Sequence, residues 1–287
     1  MKKVFALVLA LTMLCCSAAF AADTDIAILV PNADHGWTGA VMTYAEEKAA
    51  AVNAEGTYTA QVITSADPAN QITQVEDIIE NQSANTVVIL PQDNTLEVTM
   101  RRLADSGIPF VMFDRVIDSV SEQAVASVKG DNEGIGAETA KRFIEDGMVP
   151  GDKILIIPGD NSSVPQMRND GFFGVLLENG WTQEQIDAEK KDAFLAAGVH
   201  LASSSGLNEF YSVLKGIHQR DYSAEVAGLA DLFTVTYDPA MIEDAIDDMI
   251  AHLNGEEVPK DHVIAVQVVD ATNVNDFVGF GDAVAAE

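Results

Sequence analysis

An aspartate and an arginine stand side by side at Asp114 and Arg115, directly after the apolar run 109–113 (PFVMF). The carboxylate accepts hydrogen bonds and the planar guanidinium donates them, so the pair can hold two neighbouring hydroxyl groups of a sugar. A surface ion pair or a helix cap is the alternative role for such residues. Because the pair follows a strand end, where parallel α/β sheets bind their ligands, the sequence favours a binding role.

Polar and aromatic side chains also follow the apolar run 25–30, in the order Asp34, His35 and Trp37. The indole of Trp37 can lie against the apolar face of a sugar ring, although a core tryptophan with a satisfied N–H is an equal alternative. The second tryptophan, Trp181, follows an Asn-Gly pair and is predicted to serve packing.

A further guanidinium is expected near these groups at Arg168, one turn into a predicted helix that follows the loop 159–161. Its side chain can reach back over that loop, and the alternative is an exposed ion pair with a neighbour such as Asp170. The stretch 130–134 (GDNEG) is typical of a helix start, so a capping role is favoured there.

Signals for catalysis and for metal binding are weak. The sequence contains no G-x-S-x-G, H-E-x-x-H or Walker pattern, and no G-x-G-x-x-G follows a predicted strand. The five histidines are scattered at spacings that build no local metal site. Asp and Glu together number 45, so any pair nominated for glycoside hydrolysis is uninformative. We therefore predict no catalytic residue, no metal and no cofactor.

Short apolar runs alternate with amphipathic segments through the first 113 residues of the sequence. A nearly continuous apolar strand needs cover on both faces, so this alternation predicts a parallel sheet in a doubly wound α/β lobe. The polar clusters, including Gln92 and Asp93 after the third strand, would then share one edge of the sheet. The predicted strands are 25–30, 58–64, 86–90 and 109–113.

A second alternating series begins at Ala124 and becomes less regular after Gln183. It predicts a second lobe with its own sheet, facing the polar loops of the first across a cleft. The predicted strands of this part are 124–129, 153–158, 232–236 and 263–269, and its regular helices are 132–147 and 164–178.

Composition limits the classes of partner. The chain has 287 residues, is 48% hydrophobic, and carries 16 basic against 45 acidic side chains, a formal net charge of -29. Such a field repels phosphate backbones and anionic lipid surfaces, so we predict that the protein does not bind nucleic acid. Both cysteines, Cys15 and Cys16, lie in the N-terminal apolar run, which removes a disulfide framework and a cysteine-based metal site from consideration.

The first 21 residues are predicted to be a signal peptide. Two lysines precede an apolar run, 4–16, that is too short to span a bilayer, and Ala19-Phe20-Ala21 is a small-x-small cleavage site. We expect cleavage near Ala21 and export to the periplasm. The residues before the two cysteines lack the small-residue pattern of a lipoprotein, which favours release as a soluble protein.

Six stretches resemble the type I periplasmic binding proteins, specifically the monosaccharide receptors of ABC importers related to the ribose, xylose and galactose binders. Their order and spacing up to Thr182 make the resemblance specific. The stretches are 25–37 (DIAILVPNADHGW), 111–117 (VMFDRVI), 130–136 (GDNEGIG), 158–172, 234–239 (TVTYDP) and 269–277 (VDATNVNDF).

The resemblance implies two Rossmann-like, doubly wound lobes with parallel sheets that close on one sugar. Three crossovers are expected, near Ser127, Tyr237 and Asp270. The N-terminal lobe would comprise 22–127 plus 238–261, and the C-terminal lobe 128–237 plus 262–287. The implied protein is a monomer without cofactor that delivers a monosaccharide to an ABC permease, with a chemoreceptor or sensor kinase as a further partner.

The resemblance also implies ligand contacts. In the first lobe Asp34 and His35 would hydrogen-bond the sugar, Trp37 would stack on it, and Asp114 and Arg115 would bind adjacent hydroxyls.

In the second lobe, Arg168 matches the position of an arginine that contacts the sugar in these receptors. Asn161, in the loop before it, is a weaker candidate. Tyr237 occupies the crossover position where these receptors usually carry a polar amide contact.

The sequence departs from the family pattern after Thr182. Family members continue with a helix, a strand ending in an Asn-Asp pair that touches the sugar, a second helix and another strand. Here 190–194 (KKDAF) runs almost directly into 197–200 (AGVH). We predict that a βαβ unit of roughly 30 residues is missing, and that the shortened second lobe is less stable and binds sugar weakly or not at all.

Three hypotheses follow for the function. The favoured one is an importer receptor that captures a monosaccharide without turnover. A remnant that has lost its ligand is the second, and an exported glycoside hydrolase is the least favoured.

Overall fold

The computed structural model describes residues 24–33, 36–152, 154, 164–189, 199–203, 211, 214–215 and 229–277. Two sheets with flanking helices make up this part of the chain. A search of its helices found none with the length and apolar character needed to cross a bilayer.

The larger sheet has six strands in the order β2-β1-β3-β4-β5-β8, and every neighbouring pair is parallel. The doubly wound α/β lobe predicted from the alternating pattern is therefore confirmed. The strands are β1 (Thr24–Pro31), β2 (Ala60–Ser65), β3 (Ala84–Ile89), β4 (Phe110–Phe113), β5 (Ala126–Gly130) and β8 (Asp261–Ile264).

The interior strand β1 explains why the sheet is covered on both faces. Ile26, Ile28 and Val30 belong to one hydrophobic cluster, whereas Ala27 and Leu29 belong to another, and none of the five is more than 1% exposed. Successive side chains of a strand point to opposite faces, so a run without polar residues must be packed from both sides.

Helices connect these strands, and local sequence signals set their ends. The side chain of Asp67 caps the helix that begins at Pro68 by accepting a hydrogen bond from the Asn70 N–H. Gly107 ends the helix before β4 in left-handed backbone, at φ +79°. The helices of this lobe are α1 (Gly36–Glu55), α2 (Pro68–Asn81), α3 (Glu97–Ser106) and α7 (Met241–Leu253).

The second sheet has three described strands, β6 (Val199–Ser203), β7 (Leu229–Thr236) and β9 (Gln267–Asp270), in the order β6-β7-β9. The helices described in this part of the chain are α4 (Asn132–Glu145), α5 (Val164–Glu178) and α6 (Gln183–Glu189). The predicted strand 153–158 lies outside the described residues apart from Ile154.

The predicted parallel arrangement holds for every pair of the first sheet, whereas the second sheet is mixed. β6 and β7 are parallel, but β7 and β9 are antiparallel. The chain leaves the second sheet at the end of β7, whereas it enters that sheet from β8 of the first. The two strands therefore pass between the sheets in opposite senses, which makes them antiparallel.

Within the part of the chain that the structure describes, three connections join the sheets. β5 leads from the first sheet into α4, residues 237–240 lead from β7 back to α7, and residues 265–266 lead from β8 to β9. β5 and β8 pair from Ser127 and Asp261 through to Gly130 and Ile264. α7 packs against β4, β5 and α1 of the first sheet's layer.

Candidate functional site

Asp114 stands at the carboxyl edge of the first sheet, immediately after β4. Its backbone is left-handed, at φ +59°, and its N–H donates to the carbonyl of Val128 at 2.8 Å. Aspartate is one of the few residues besides glycine that enters this region readily. A tight turn thus presents a carboxylate where parallel sheets bind ligands.

Tyr237 reaches this carboxylate from the crossover after β7. Its hydroxyl donates to Oδ1 of Asp114 at 2.8 Å, and the residue is buried. The ring lies so close to Gly130 that a Cβ built there would be 2.1 Å from a ring carbon. Gly130 at the end of β5 therefore leaves the space through which the phenol passes.

Trp37, at the start of α1, packs against the same tyrosine. The two rings meet edge to face with centroids 5.9 Å apart, and the indole N–H donates to the carbonyl of Tyr237 at 3.4 Å. Trp37 is half-buried. The structure thus brings Trp37, Asp114 and Tyr237 together, although they come from three distant parts of the sequence.

Arg168 contributes from the second lobe, where α4 and α5 cross at backbone contact. A Cβ at Gly136 would lie 1.8 Å from the carbonyl oxygen of Arg168, and one at Gly171 would lie 1.9 Å from that of Glu133. This close crossing places Nε of Arg168 3.0 Å from Oδ1 of Asn132, to which it donates. The guanidinium is thereby fixed beside the first turn of α4.

The charges around Tyr237 come from both lobes. Burial raises the pKa of the Tyr237 hydroxyl well above its ordinary value, and the negative charge and hydrogen bond of Asp114 raise it further, while the positive charge of Arg168 and a hydrogen bond with Asn132 act in the opposite direction. The phenol therefore keeps its proton at neutral pH and remains a donor to Asp114.

Arg115 points to a different partner. Its guanidinium donates to the carbonyl of Gln92, in the loop after β3. The side chain of Gln92 in turn donates to the carbonyl of Ser65 at 2.8 Å, and its N–H donates to Oε1 of Gln71 at 2.9 Å. Arg115 is thus part of a network that ties the ends of β2, β3 and β4 together.

The structure therefore places the predicted residues unequally. Trp37, Asp114 and Tyr237 form one contact set, and the charge of Arg168 acts on it, whereas Arg115 has its own partner along the sheet edge. The remaining three predicted residues, Asp34, His35 and Asn161, lie outside the described residues.

Sequence reasoning missed Asn132 as a member of this site. It is buried at 4% exposure, and it joins Arg168 to Tyr237. The stretch 130–134 was interpreted as a helix start, and Asp131 does cap α4 through the Gly134 N–H. A polar residue beside that cap, directly after a strand, is the signal that could have identified Asn132.

Among the described residues, no group of three or more His, Cys, Asp or Glu side chains is arranged to hold a metal ion.

A comparison with protein-family models gives one match, a periplasmic binding protein domain over residues 26–252. A comparison with curated proteins gives none.

Solved structures provide a likeness of the whole fold. An ABC transporter solute binding protein from Mycobacterium smegmatis with bound glycerol is 19% identical, with a TM-score of 0.68 over 90% of this chain and 99% of that chain. A galactofuranose binding protein is 15% identical, with a TM-score of 0.66 over 88% and 96% of the two chains. A protein of Bacteroides fragilis described as a candidate LacI transcriptional regulator is also 15% identical, with a TM-score of 0.62 over 89% and 99%. At these identities the likeness concerns the fold alone.

Proposed function

Because this chain belongs to the periplasmic binding protein family, which its residues 26–252 match, we propose that it binds a small sugar between its two lobes. The bound sugar would pass to the permease of an ABC importer. The protein would act after export and removal of residues 1–21, as a monomer in the periplasm. It would bind its ligand without converting it, so no catalytic residue is assigned.

The observation that carries this proposal is the contact set at the first sheet's edge. A sugar presents hydroxyl groups around an apolar ring face, so a receptor needs an acceptor, a donor and a flat apolar surface. Asp114 supplies the acceptor and Trp37 supplies an indole, joined through Tyr237. Arg168 brings a charged donor from the second lobe, close enough to act on Tyr237.

We assign the ligand contacts accordingly. Asp114 accepts from a sugar hydroxyl, Trp37 covers one ring face and Arg168 donates from the other lobe. The family resemblance adds Asp34, His35, Arg115, Asn161 and Tyr237 to the proposed contact set.

The chemistry of two structural neighbours agrees with this class of ligand. One is described as a galactofuranose binding protein and the other was solved with bound glycerol, and both of these small molecules are polyhydroxylated. Hinge closure follows from the same placement. A ligand that contacts both lobes binds the closed form more tightly than the open form, and so shifts the population toward closure.

Titration calorimetry of the protein without residues 1–21 tests the proposal directly. We expect at least one of a panel of pentoses and hexoses to bind with a micromolar or lower Kd. Such binding would also overturn the expectation that a shortened second lobe binds sugar weakly or not at all. Asp114→Asn keeps the side-chain size but removes the charge, and should weaken binding about tenfold or more, since a hydrogen bond to a charged group contributes about 1.5 to 3 kcal/mol. Asp77→Asn, on the exposed face of α2, is the matched control and should leave the Kd unchanged.

Three results would count against the proposal. Binding that Asp114→Asn leaves untouched would place the ligand elsewhere. A folded protein that binds no sugar would support the remnant hypothesis, in which the shortened second lobe has lost the ligand. Release of product from a chromogenic glycoside would point to a hydrolase.

A further inference from the structure

The carboxylate of Asp114 already holds a hydroxyl group that belongs to the protein. The Tyr237 hydroxyl lies 2.8 Å from Oδ1 of Asp114 and donates to it. The ring beside it is packed against Trp37 and over Gly130. The proposed acceptor and the proposed stacking surface are thus both in contact with one tyrosine.

A phenol and a sugar hydroxyl are the same kind of donor to a carboxylate. Each supplies one O–H, and each gains from the charge of the acceptor. A sugar that approaches Asp114 and Trp37 together therefore meets a side chain that occupies part of the space and part of the bonding capacity it needs. The carboxylate has further lone pairs, so the sugar competes with the phenol for the position that the phenol occupies and not for the whole acceptor.

The place of Tyr237 in the chain makes such a movement a conformational event. The residue follows β7 of the second sheet directly and lies in the connection to α7, which packs on the first lobe. Its hydroxyl is also affected by Asn132 at the start of α4 and by Arg168 on α5. Moving the side chain therefore alters contacts of two of the connections that join the sheets.

We propose that Tyr237 is an internal competitor of the ligand, occupying a sugar hydroxyl position on Asp114 until a sugar displaces it. This inference rests on the proposed sugar-binding function. The proposed effect of Tyr237 on sugar affinity is opposite to the one that the family resemblance implies. There, residue 237 contributes a favourable contact to the ligand.

The variant Tyr237→Phe separates the two roles. It removes only the hydroxyl and retains the ring that packs against Trp37 and Gly130. Without the competing bond to Asp114, we expect the sugar that binds the wild type to bind Tyr237→Phe about tenfold tighter, the equivalent of one charge-assisted hydrogen bond. Calorimetry with L-arabinose, D-galactose, D-tagatose, myo-inositol and glycerol as probes measures the ratio.

Tyr58→Phe is the matched control. Tyr58 also donates its hydroxyl to a side-chain oxygen, that of Asn254 at 2.7 Å. It precedes β2, and so lies at the amino edge of the parallel sheet, opposite Asp114. This variant also loses one hydrogen bond of a tyrosine hydroxyl, here to a neutral amide, and should bind the probes as the wild type does.

The outcomes distinguish this inference from the function on which it depends. If the wild type binds a probe and Tyr237→Phe binds it equally or more weakly, the competitor role is wrong while the sugar-binding function stands. If neither protein binds any probe, both fail. If only Tyr237→Phe binds a probe, both are supported, and competition by the tyrosine explains why the wild type does not bind it.

An NMR measurement on the wild-type protein tests the competitor role without requiring that the Tyr237→Phe variant folds. The sequence has five tyrosines, so ring-labelled tyrosine gives a short NMR spectrum in which Tyr237 is assigned by substitution. Saturation with a binding sugar should shift the Tyr237 Cζ resonance because the phenol leaves Asp114. An unchanged Tyr237 resonance in the saturated protein would overturn the competitor role.

Discussion

The backbone of Asp114 restricts which residues can stand at the centre of the candidate site. At φ +59° a β-carbon meets the neighbouring carbonyl, and this costs most residues about 1 to 2 kcal/mol. Aspartate and asparagine are partly exempt because their short side chains bond locally. The position therefore combines a chemical requirement for an acceptor with a conformational requirement for a residue that accepts left-handed backbone.

That combination predicts an unusual order of stability for substitutions at this position. Asp114→Ala and Asp114→Gly both remove the carboxylate, but only glycine enters left-handed backbone freely, so we expect Asp114→Gly to be more stable by about 1 kcal/mol. Urea unfolding of the two variants measures the difference.

Asp77 supplies the comparison for this pair, since it is exposed within α2. There alanine should be more stable than glycine by about 1 kcal/mol, the usual helical preference. The same order at both positions would show that the turn at Asp114 is not held in left-handed backbone.

The second lobe positions its arginine through two helices that touch along their backbones. Gly171 of α5 lies against the carbonyl of Glu133 in α4, where an added Cβ would approach to 1.9 Å. Backbone atoms cannot give way as a flexible side chain can, so the helices must separate. Because Arg168 lies one turn before Gly171, separation also withdraws its guanidinium from Asn132.

Gly171→Ala should therefore destabilise the protein and weaken sugar binding together. We expect a loss of about 1 to 3 kcal/mol in the free energy of unfolding, as for other overpacked sites. Gly174→Ala is the control on the same helix, because nothing lies within 4 Å of the Cβ it would add. It should be neutral or stabilise by up to about 1 kcal/mol. Equal effects of the two substitutions would contradict the close crossing.

The sequence predicted the elements of the first lobe well because each carries its own local signal. The expected strands 25–30, 86–90 and 109–113 differ from β1, β3 and β4 by no more than two residues at either end. Their apolar runs, and the cap at Asp67, are readable over a few neighbouring residues. The resemblance to periplasmic binding proteins is confirmed at the level of the family.

Side-chain partners were less predictable because they depend on distant parts of the chain. The carboxyl edge was expected to carry the site, since parallel topology alone places strand ends there. The hydrogen bond between Tyr237 and Asp114 joins residues 123 positions apart, and no local sequence pattern predicts it. The antiparallel direction of β9 escaped prediction for the same reason, since it depends on how the chain passes between two sheets.

The charge of the whole molecule opposes its compact state. The 45 acidic side chains outnumber the 16 basic ones nearly three to one, and folding brings these like charges closer together. Ion pairs such as Lys48 with Asp247 and Lys129 with Asp261 act in the opposite direction, but each has an exposed carboxylate and contributes only about 0 to 1 kcal/mol. Repulsion should therefore outweigh attraction among the surface charges.

Salt should accordingly stabilise this protein. Between about 0.01 M and 0.15 M salt the screening length falls from about 30 Å to about 8 Å, which removes repulsion across the molecule before it weakens contacts between adjacent charges. We expect the urea midpoint to rise with NaCl over this range, and to rise equally with KCl, because screening depends on ionic strength and not on the identity of the cation. A midpoint that falls with salt would mean that the few ion pairs, and not the excess of carboxylates, dominate the electrostatics of the folded state.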